Sequence, residues 1–565
     1  MSIPDQSPTP ESPAPRVACI GGGPGGLFTA IALAQAVPGA SIDVFERNSE
    51  SDVFGFGVVF SDATLDCVDR TDPVLRDVLA EHGRHWDAIE VRSKGVTTAA
   101  GGNGMAAVHR RVLLGALRDR ALELGARLHY SSFVDAATLD AGGDYDLIVA
   151  ADGANSATRE RFLPELGHTV EVAAVKFVWF GTTYGFDGLT FLHKRSEHGN
   201  FAVHAYPIGS GLSTFIVETD EDTWRRAGLD GFDTSLPPGE SDLVTQRYLE
   251  ELFADQIDGH PLVANNSRWA NFRTRRTRRW HATAPAGTPV VLLGDAVHTA
   301  HFSVGSGTKM AMEDAAVLAR TLADDTDIAS ALVAFEETRR PQVAKIQDSA
   351  KPSLSWWDHF GEYHRTLDPW QFGFHFFSRA ISAEKMRVRD PEFVAAAERA
   401  WVAQHGAAPL DTPLTIGALT LNTRLLAVTE RAGGGFDLGD GTSVLSATDA
   451  AGSAVRLFDA PDSDATSLDD TVSAALDELC LRGPDAVVVR GGTELSRALC
   501  AERIRLGDSI PAVLVDGPAS VRTRRAVDER DCAATLVLSG RADAVAFGIG
   551  PRTVEHALSS VEVGE

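Results

Sequence analysis

The chain has few cysteines, no long apolar run and a shortage of basic residues. Its 565 residues include five cysteines, and no two of them form a CxxC pair. Such scattered cysteines argue against a disulfide framework and predict reduced thiols in a cytoplasmic protein. No apolar stretch is long enough to cross a bilayer, so no membrane segment is predicted.

Acidic residues outnumber basic ones, 78 to 52, which gives a formal net charge of −26. This balance argues against binding to nucleic acid or to an anionic membrane surface. An anionic small molecule would need a local basic site. Hydrophobic residues make up 44% of the chain, enough for the cores of more than one domain.

Changes in composition and in the spacing of apolar residues divide the chain into four parts. Residues 1–15, "MSIPDQSPTPESPAP", lack the basic and apolar regions of a signal peptide and predict a disordered leader. Residues 16–164 and 281–405 combine apolar strands, glycine turns and helices, whereas 165–280 read as an antiparallel sheet. From residue 410 to 565 short apolar strands alternate with Ala-rich helices, which predicts a separate α/β region.

A glycine motif follows the first apolar strand. Gly21, Gly23 and Gly26 form G-x-G-x-x-G between a strand and a helix, and Glu46 and Arg47 end the next strand. The glycines permit a tight turn and close backbone approach to a pyrophosphate, which the helix N-terminus attracts. The Glu46 carboxylate can accept hydrogen bonds from a ribose. The arrangement predicts a nucleotide site, with a ligand-free tight turn as the alternative.

The stretch "VVLLGDAVHTAHFSVGSGTKMAMEDAA", residues 290–316, runs from a strand through a loop into a helix. Taken alone it fits a phosphate cradle, a metal site, a catalytic histidine pair or a packed turn. His298 and His301 lack neighbouring carboxylates or thiolates at ligand spacing, so no metal site is predicted. His298, beside the Gly-Asp turn, is interpreted as structural.

Three segments, "HRRVLLGAL", "DLIVAADGANSATR" and "GDAVHTAHFSVGSG", occur in an order and spacing that resemble the single-component FAD aromatic hydroxylases. The resemblance covers roughly residues 16 to 400. It implies an α/β fold like that of para-hydroxybenzoate hydroxylase, in which a Rossmann-like FAD-binding domain carries an inserted antiparallel-sheet substrate domain.

The same resemblance implies a FAD site that includes the glycine motif, Glu46 and Arg47. Arg110 would contact FAD, Asp152 would lie near the pyrophosphate and Asp295 would hold the ribityl or ribose chain. The backbone along Gly305, Gly307, Thr308 and Lys309 would follow the pyrimidine edge of the flavin. A helix N-terminus near Thr308 would stabilise negative charge on reduced flavin.

Some residues differ from the general pattern of the FAD aromatic hydroxylases and indicate a narrower group within that family. His301, Phe302 and Lys309, with fragments such as "FVWFGTTYGFDGLTFLHK" and "HGNFAVHAYPIGSGLSTFIVET", are similar to the salicyloyl-CoA 5-hydroxylases and anthraniloyl-CoA monooxygenases. This similarity implies hydroxylation of a small aromatic substrate, carried as a CoA thioester. NAD(P)H would act as a transient reductant and O₂ would form a flavin C4a-hydroperoxide.

Candidate substrate residues come from three places. His301, His204 and Tyr206 are candidates for orienting the ring, because alternation in a strand puts the last two on one face. Phe302 is a further candidate wall. "NFRTRRTRRW", residues 271–280, offers Arg275 and Arg276 to CoA phosphates. The competing interpretations are cross-strand packing for the first group and a solvated basic patch for the arginines.

The C-terminal region resembles pieces of an Old Yellow Enzyme-like barrel, in "PLTIGALTLNTRLL" and "AATLVLSGRADAVAFGIGP". A complete (β/α)₈ barrel takes about 250 residues, and about 155 are present here. We therefore expect a degenerate partial barrel that binds no FMN. It would pack on the hydroxylase or form an interface in a possible homodimer.

Two other functions compete with thioester hydroxylation. One is a tailoring hydroxylase or epoxidase that acts on a free aromatic natural-product scaffold. The other is a non-catalytic flavin-binding regulator that uses the C-terminal region as an interaction module.

Overall fold

The structure is a computed structural model that describes residues 14–53, 55–233, 239–325, 327–431, 435–448, 450, 452–516 and 526–548. Nearly all of the expected leader, and the end of the second barrel-like fragment, lie outside these residues. Within them, no helix is both long and apolar enough to cross a membrane.

The first layer is a six-stranded sheet that is parallel except at one edge. Its strands, in spatial order, are His281–Thr283, Pro289–Leu292, Leu147–Ala150, Arg16–Ile20, Ser41–Phe45 and Arg127–His129. The helix Pro24–Ala36 is buried along most of its length because it packs between this sheet and the helix Gly307–Asp324. Other helices of this part are Arg110–Glu123, Ala136–Gly142, Ala157–Arg161 and Leu163–Leu166.

The second layer is an eight-stranded, mostly antiparallel sheet. Six of its strands come from the predicted sheet region: His168–Thr182, Leu189–Arg195, Asn200–Gly209, Leu212–Thr219, Leu262–Val263 and Ala270–Thr277. The other two, Ile89–Ser93 and Val96–Ala100, come from earlier in the chain, and the first pairs in parallel with Leu189–Arg195. The sheet therefore extends beyond residues 165–280. Helices Glu221–Arg226 and Leu243–Leu252 accompany it.

A small three-stranded sheet of Gly57–Ser61, Met105–His109 and Arg84–Trp86 belongs to the same part of the chain as helices Asp62–Thr71 and Pro73–His82. A 39-residue helix, Ile328–Thr366, then runs past both larger sheets. Helices Pro369–Phe377, Ala383–Arg389 and Pro391–His405 follow it.

The C-terminal region forms a hairpin, Leu414–Ile416 and Leu419–Leu421, and a seven-stranded sheet. The sheet strands, in spatial order, are Val444–Ala447, Phe436–Gly439, Leu425–Glu430, Ala544–Gly548, Ala512–Asp516, Ala486–Arg490 and Val455–Asp459. A bridge between Thr448 and Arg456 brings the two edges together, so the sheet curls into a small partial barrel. Helices Asp470–Leu481, Glu494–Glu502 and Ala526–Leu538 accompany it.

Alternation along these strands gives the barrel two apolar surfaces. Val488, Val513 and Ala546 belong to a core built entirely from C-terminal residues. Val487 and Val545 instead belong to a core shared with Phe374, Phe393 and Trp401 of the preceding helices. The C-terminal region and the helices that precede it thus share one hydrophobic core.

Candidate active site

A cavity of about 1410 Å³ lies where the two large sheets meet. Sites for a single small ligand usually occupy about 300–1,000 Å³, so this cavity has room for a dinucleotide together with a substrate. Its lining joins the glycine turn, Gly153 of the Asp-Gly turn at 152–153, the Gly-Asp turn at 294–295 and the aromatic face of the second sheet.

Glycine is required at two positions of the first turn. Gly21 has φ of +110°, and a Cβ there would lie 2.4 Å from the carbonyl oxygen of Ala151. A Cβ on Gly26 would lie 1.9 Å from the carbonyl oxygen of Gly21. Gly23 has no atom within 4 Å of its Cβ position and lines the cavity. The turn is therefore tight on the sheet side and open on the ligand side.

The Glu46 carboxylate braces this turn. Its Oε2 accepts a 2.8 Å hydrogen bond from the amide of Gly22, and its Oε1 accepts one of 2.8 Å from the amide of Asn48. Arg47 is exposed and lies outside the cavity lining. The structure places Glu46, and not Arg47, directly against the glycine turn.

One carboxylate oxygen of Asp152 has no hydrogen-bond donor within the described part of the protein. Its Oδ2 accepts a hydrogen bond of 3.1 Å from the amide of Thr158. Its Oδ1 is buried and has no hydrogen-bond partner among the described residues. Gly153 beside it lines the cavity. An unpaired buried oxygen is costly, and this one lies one residue behind the lining, since Asp152 itself does not line the cavity.

Asp295 and Arg110 both line the cavity from opposite parts of the chain. Burial raises the pKa of Asp295, and the nearby positive charge of Arg110 opposes that rise. Burial lowers the pKa of Arg110, against the attraction of Asp295. A carboxylate and a guanidinium that share a desolvated wall can bind hydroxyl and phosphate groups of a dinucleotide.

Two helix N-termini open onto this cavity without side-chain caps. The N-cap of helix Pro24–Ala36 is Gly23, which has no side chain, and the N-cap of Gly307–Asp324 is Ser306, whose side chain makes no hydrogen bond to the helix. Gly305, Gly307 and Thr308 line the cavity at the second terminus. Free N–H groups at both ends attract negative charge, as the phosphates and the pyrimidine edge of reduced FAD provide.

The side chain of Lys309 does not line the cavity at this second helix N-terminus. Its Nζ lies 3.7 Å from Oε1 of Glu313, one turn further along the helix, and the residue does not line the cavity. Any contribution of Lys309 to a cofactor would come from its backbone.

His298 is part of a buried ionic cluster. Its Nε2 lies 2.7 Å from Oδ2 of Asp314, which also accepts a 3.0 Å bond from the amide of Gly294. Oδ1 of Asp314 accepts a 2.8 Å bond from Nε of Arg339. The cluster fixes the Gly294–Asp295 turn against the helix. Among the described residues, no group of three metal-ligating side chains could hold a metal ion.

His204 and Tyr206 both line the cavity from the strand Asn200–Gly209. Nε2 of His204 lies 2.7 Å from Oε1 of Glu218 on the adjacent strand. Burial lowers the pKa of His204 and raises the pKa of Glu218 to about 8, so both are neutral at pH 7. The Tyr206 hydroxyl donates a 3.3 Å bond to the carbonyl of Gly57.

His301 lies behind the wall that Phe302 forms. The Phe302 ring lines the cavity and packs 5.3 Å from the His204 ring, centroid to centroid. His301 does not line the cavity, and its Nδ1 accepts a 3.3 Å bond from the amide of Ser303. Burial lowers the pKa of His301 to about 4. The structure brings His204, Tyr206 and Phe302 together and leaves His301 one layer back.

The arginine-rich strand divides between two faces. Arg275 is buried in the cavity wall, and burial lowers its pKa. Arg273 also lines the cavity. Arg276 points the other way, with Nη2 2.9 Å from Oδ1 of Asp348. Alternation in the strand thus gives the cavity Arg273 and Arg275, not the adjacent pair 275 and 276.

Sequence reasoning missed Glu218, which lies behind the lining next to His204, and two residues of the lining itself. Glu218 has a recognisable signal, since it is an acid inside the apolar strand "LSTFIVET". Phe376 and Arg379, at the end of a helix after the long one, also line the cavity. The guanidinium of Arg379 lies 3.9 Å over the Phe376 ring. No local pattern connects that helix end to a site built some 170 residues earlier.

These features fit a dinucleotide site beside an aromatic chamber, and comparison with known proteins identifies a FAD-dependent monooxygenase. A model of the FAD-binding domain matches residues 126–350. The solved p-nitrophenol 4-monooxygenase of Pseudomonas putida shares the fold, with a TM-score of 0.50, 16% identity and coverage of 68% of this chain and 97% of that one.

Similarity to curated proteins fixes the family. The chain is 52% identical to a salicyloyl-CoA 5-hydroxylase of a Streptomyces species, over 94% of this chain and 99% of that protein. It is 35% identical to 3-hydroxy-4-methyl-anthranilyl-[aryl-carrier protein] 5-monooxygenase of Streptosporangium sibiricum, over 60% and 88%. It is 33% identical to protodeoxyviolaceinate monooxygenase of Chromobacterium violaceum, over 61% and 89%.

The chain therefore belongs to the FAD-dependent aromatic monooxygenases. FAD is the cofactor of this family and NAD(P)H is its usual reductant. The match to the salicyloyl-CoA enzyme covers so much of the chain that it must include most of residues 410–565. The C-terminal region is therefore shared by the two sequences.

Proposed function

We propose that this enzyme hydroxylates the ring of an aromatic acyl-CoA thioester of the salicyloyl or anthraniloyl type. The observation that carries the proposal is one cavity that joins the FAD cradle to an aromatic chamber and to basic groups. Phe177, Trp179, Phe191 and Phe302 line the chamber. The similarity to a salicyloyl-CoA 5-hydroxylase over nearly the whole chain supports the same substrate class.

Basic side chains in the cavity lining are the proposed binding partners of the CoA phosphates. Arg273 and Lys176 line the cavity, on neighbouring strands. Nζ of Lys176 donates a 2.7 Å bond to the side chain of Asn271 and lies 4.5 Å over the Trp224 ring. Cationic groups at a cavity can attract the phosphates of CoA even though the whole protein is acidic.

In this proposal the glycine turn, Asp152 and Asp295 hold FAD, and the two uncapped helices stabilise its negative charge. Bound FAD, once reduced by NAD(P)H, would activate O₂ for the transfer of one oxygen atom to the ring. The aromatic walls would exclude water and hold the substrate ring in the chamber next to the residues that hold FAD. Neutral His204 can accept a hydrogen bond from a ring hydroxyl or amino group of the substrate, or donate one to it, and Glu218 lies behind His204.

The test is substrate-stimulated NAD(P)H oxidation by FAD-loaded protein. Salicyloyl-CoA, anthraniloyl-CoA and benzoyl-CoA would be compared with the corresponding free acids. We expect a hydroxylated thioester in near-stoichiometric yield with the oxidised reductant. Turnover of the free acids alone would instead support a free aromatic scaffold as the substrate, and no stimulation by any compound would support a regulator.

A further inference from the structure

The partial barrel places a charged pair behind the cavity wall, in contact with the residues that precede Arg379. Glu502 ends one barrel helix, and Arg541 follows another. Nε of Arg541 lies 3.2 Å from Oε1 of Glu502, and both side chains are largely buried. Because a buried ion pair needs further hydrogen bonds to be tolerated, its remaining partners show what it organises.

Those partners belong to the hydroxylase helices. Oε1 of Glu502 lies 3.2 Å from Nε2 of His375, and Oε2 accepts a 2.5 Å bond from the Tyr363 hydroxyl. Nδ1 of His375 in turn accepts a 2.8 Å bond from Nε1 of Trp356. Since Nδ1 is an acceptor, Nε2 carries the hydrogen and donates to Glu502. The carboxylate therefore receives hydrogen bonds from two hydroxylase helices.

Arg541 completes the connection through the backbone of the same helix. Its Nη2 donates a 2.8 Å bond to the carbonyl of His375, and its Nη1 donates a 2.7 Å bond to Oγ of Ser378. His375 and Ser378 lie on either side of Phe376 in the sequence, and Ser378 immediately precedes Arg379. Phe376 and Arg379 both line the cavity. The pair thus holds the segment 375–378 from its buried side.

The wall held in this way faces the aromatic chamber. The Phe376 ring packs 4.6 Å from the Phe191 ring, which in turn lies 4.9 Å from the ring of His204. Nε of Arg379 donates a 3.0 Å bond to Ser353. A shift of the helix end would therefore move Phe376 and Arg379 relative to His204 and would open the chamber to water.

We propose that Glu502 and Arg541 are positioning residues for oxygenation, and that the partial barrel acts as a brace for the substrate wall. Neither residue lines the cavity, so each acts through Phe376 and Arg379. The activity readout of this inference rests on the proposed function. Hydrogen exchange of the segment 376–381 does not depend on the identity of the substrate.

The decisive variant is Glu502→Gln, which keeps the shape of the side chain but leaves Arg541 unpaired. The double variant Glu502→Gln/Arg541→Met removes both charges. The control is Val488→Ala, which opens a cavity in the barrel core that contains no hydroxylase residue. All three would be compared with the wild-type, FAD-loaded, full-length chain.

For Glu502→Gln we expect faster amide exchange at 376–381 and a several-fold higher KM for the aromatic substrate. We also expect a several-fold loss of product formed per reductant oxidised. The double variant also lacks the two bonds from Arg541 to His375 and Ser378, so its losses should be at least as large. The Val488→Ala control should lower the thermal midpoint but leave exchange at 376–381 and the coupling ratio as in wild type.

Wild-type exchange and coupling in Glu502→Gln would overturn the inference, as would equal losses in Val488→Ala. If Glu502→Gln does not fold, the double variant decides: slow exchange at 376–381 as in wild type, with full coupling, would contradict a bracing role. If wild type oxidises no thioester but exchange still responds, the substrate proposal fails and the brace stands.

Discussion

Nε2 of His204 lies 2.7 Å from Oε1 of Glu218, and both side chains are almost fully buried beside the cavity. Burial raises the pKa of Glu218 to about 8 and lowers that of His204. At neutral pH the pair is therefore an uncharged acid next to an uncharged imidazole. It presents a polar atom to the chamber without placing a fixed charge there.

The first prediction concerns Glu218→Gln. Because the folded-state pKa is above that of the unfolded chain, protonated Glu218 stabilises the fold below pH 4.5, and this contribution is lost as pH rises to 8. Glutamine does not titrate, so the variant should gain stability relative to wild type between pH 5 and 8. Each pKa unit corresponds to about 1.4 kcal/mol.

Thermal midpoints of the two proteins at pH 5, 6.5 and 8 measure this effect. The matched control is Glu251→Gln, an exposed glutamate on a helix of the same domain, whose difference from wild type should not change with pH. A constant difference for Glu218→Gln would show that its carboxyl titrates normally.

The second prediction concerns the glycine turn. Gly26→Ala should abolish most FAD binding, because its Cβ would lie 1.9 Å from the carbonyl oxygen of Gly21 and the turn must move. Gly115→Ala, in the helix Arg110–Glu123 with open space around its Cβ position, is the control. It should bind FAD normally and gain up to about 1 kcal/mol. The ratio of flavin to protein absorbance reports the result.

The third prediction concerns Asp295, which lines the cavity near the second helix N-terminus. Asp295→Ala should weaken FAD binding by at least about tenfold, the loss expected when a charged hydrogen-bond partner worth about 1.5–3 kcal/mol is removed. Asp230→Ala removes another cavity-lining acid, and it should bind FAD as wild type does. Fluorescence titration of apoprotein with FAD gives both affinities, and equal losses would contradict the assigned role.

The fourth prediction separates structure from catalysis at Asp314. Asp314→Asn disrupts the buried contacts with His298 and Arg339 and should cost about 3–5 kcal/mol of unfolding free energy. The amide of Gly294 also loses an acceptor, so FAD binding should weaken, but the folded, FAD-loaded protein should keep its product yield per reductant because His298, Asp314 and Arg339 do not line the cavity. A large loss of coupling at unchanged stability would place this cluster in the chemistry instead.

The cofactor half of the site was readable from sequence because its constraints are local. The spacing of Gly21, Gly23 and Gly26 and the turn before Asp295 each report a backbone shape within a few residues. The confirmed fold class and the family follow from these segments and from their order. The side-chain roles of Asp152, Asp295 and Arg110 remain predictions that the binding experiments test.

The substrate half was less accessible because it is assembled from distant strands. Alternation placed His204 and Tyr206 on one face, but no sequence rule paired His204 with Glu218. Because side chains alternate along a strand, Arg275 faces the cavity while its neighbour Arg276 pairs with Asp348. The brace at Glu502 depends on contacts between parts of the chain more than 120 residues apart, which leave no periodic signal.

The most direct test of the account is mass spectrometry of the product formed under ¹⁸O₂. FAD-loaded enzyme would be supplied with reductant and salicyloyl-CoA, anthraniloyl-CoA or the free acids. The account predicts that one labelled oxygen atom appears on the ring of an intact thioester, with little conversion of the acids. Unlabelled product, labelled free acid alone, or reductant oxidation that yields only hydrogen peroxide with every compound would contradict it.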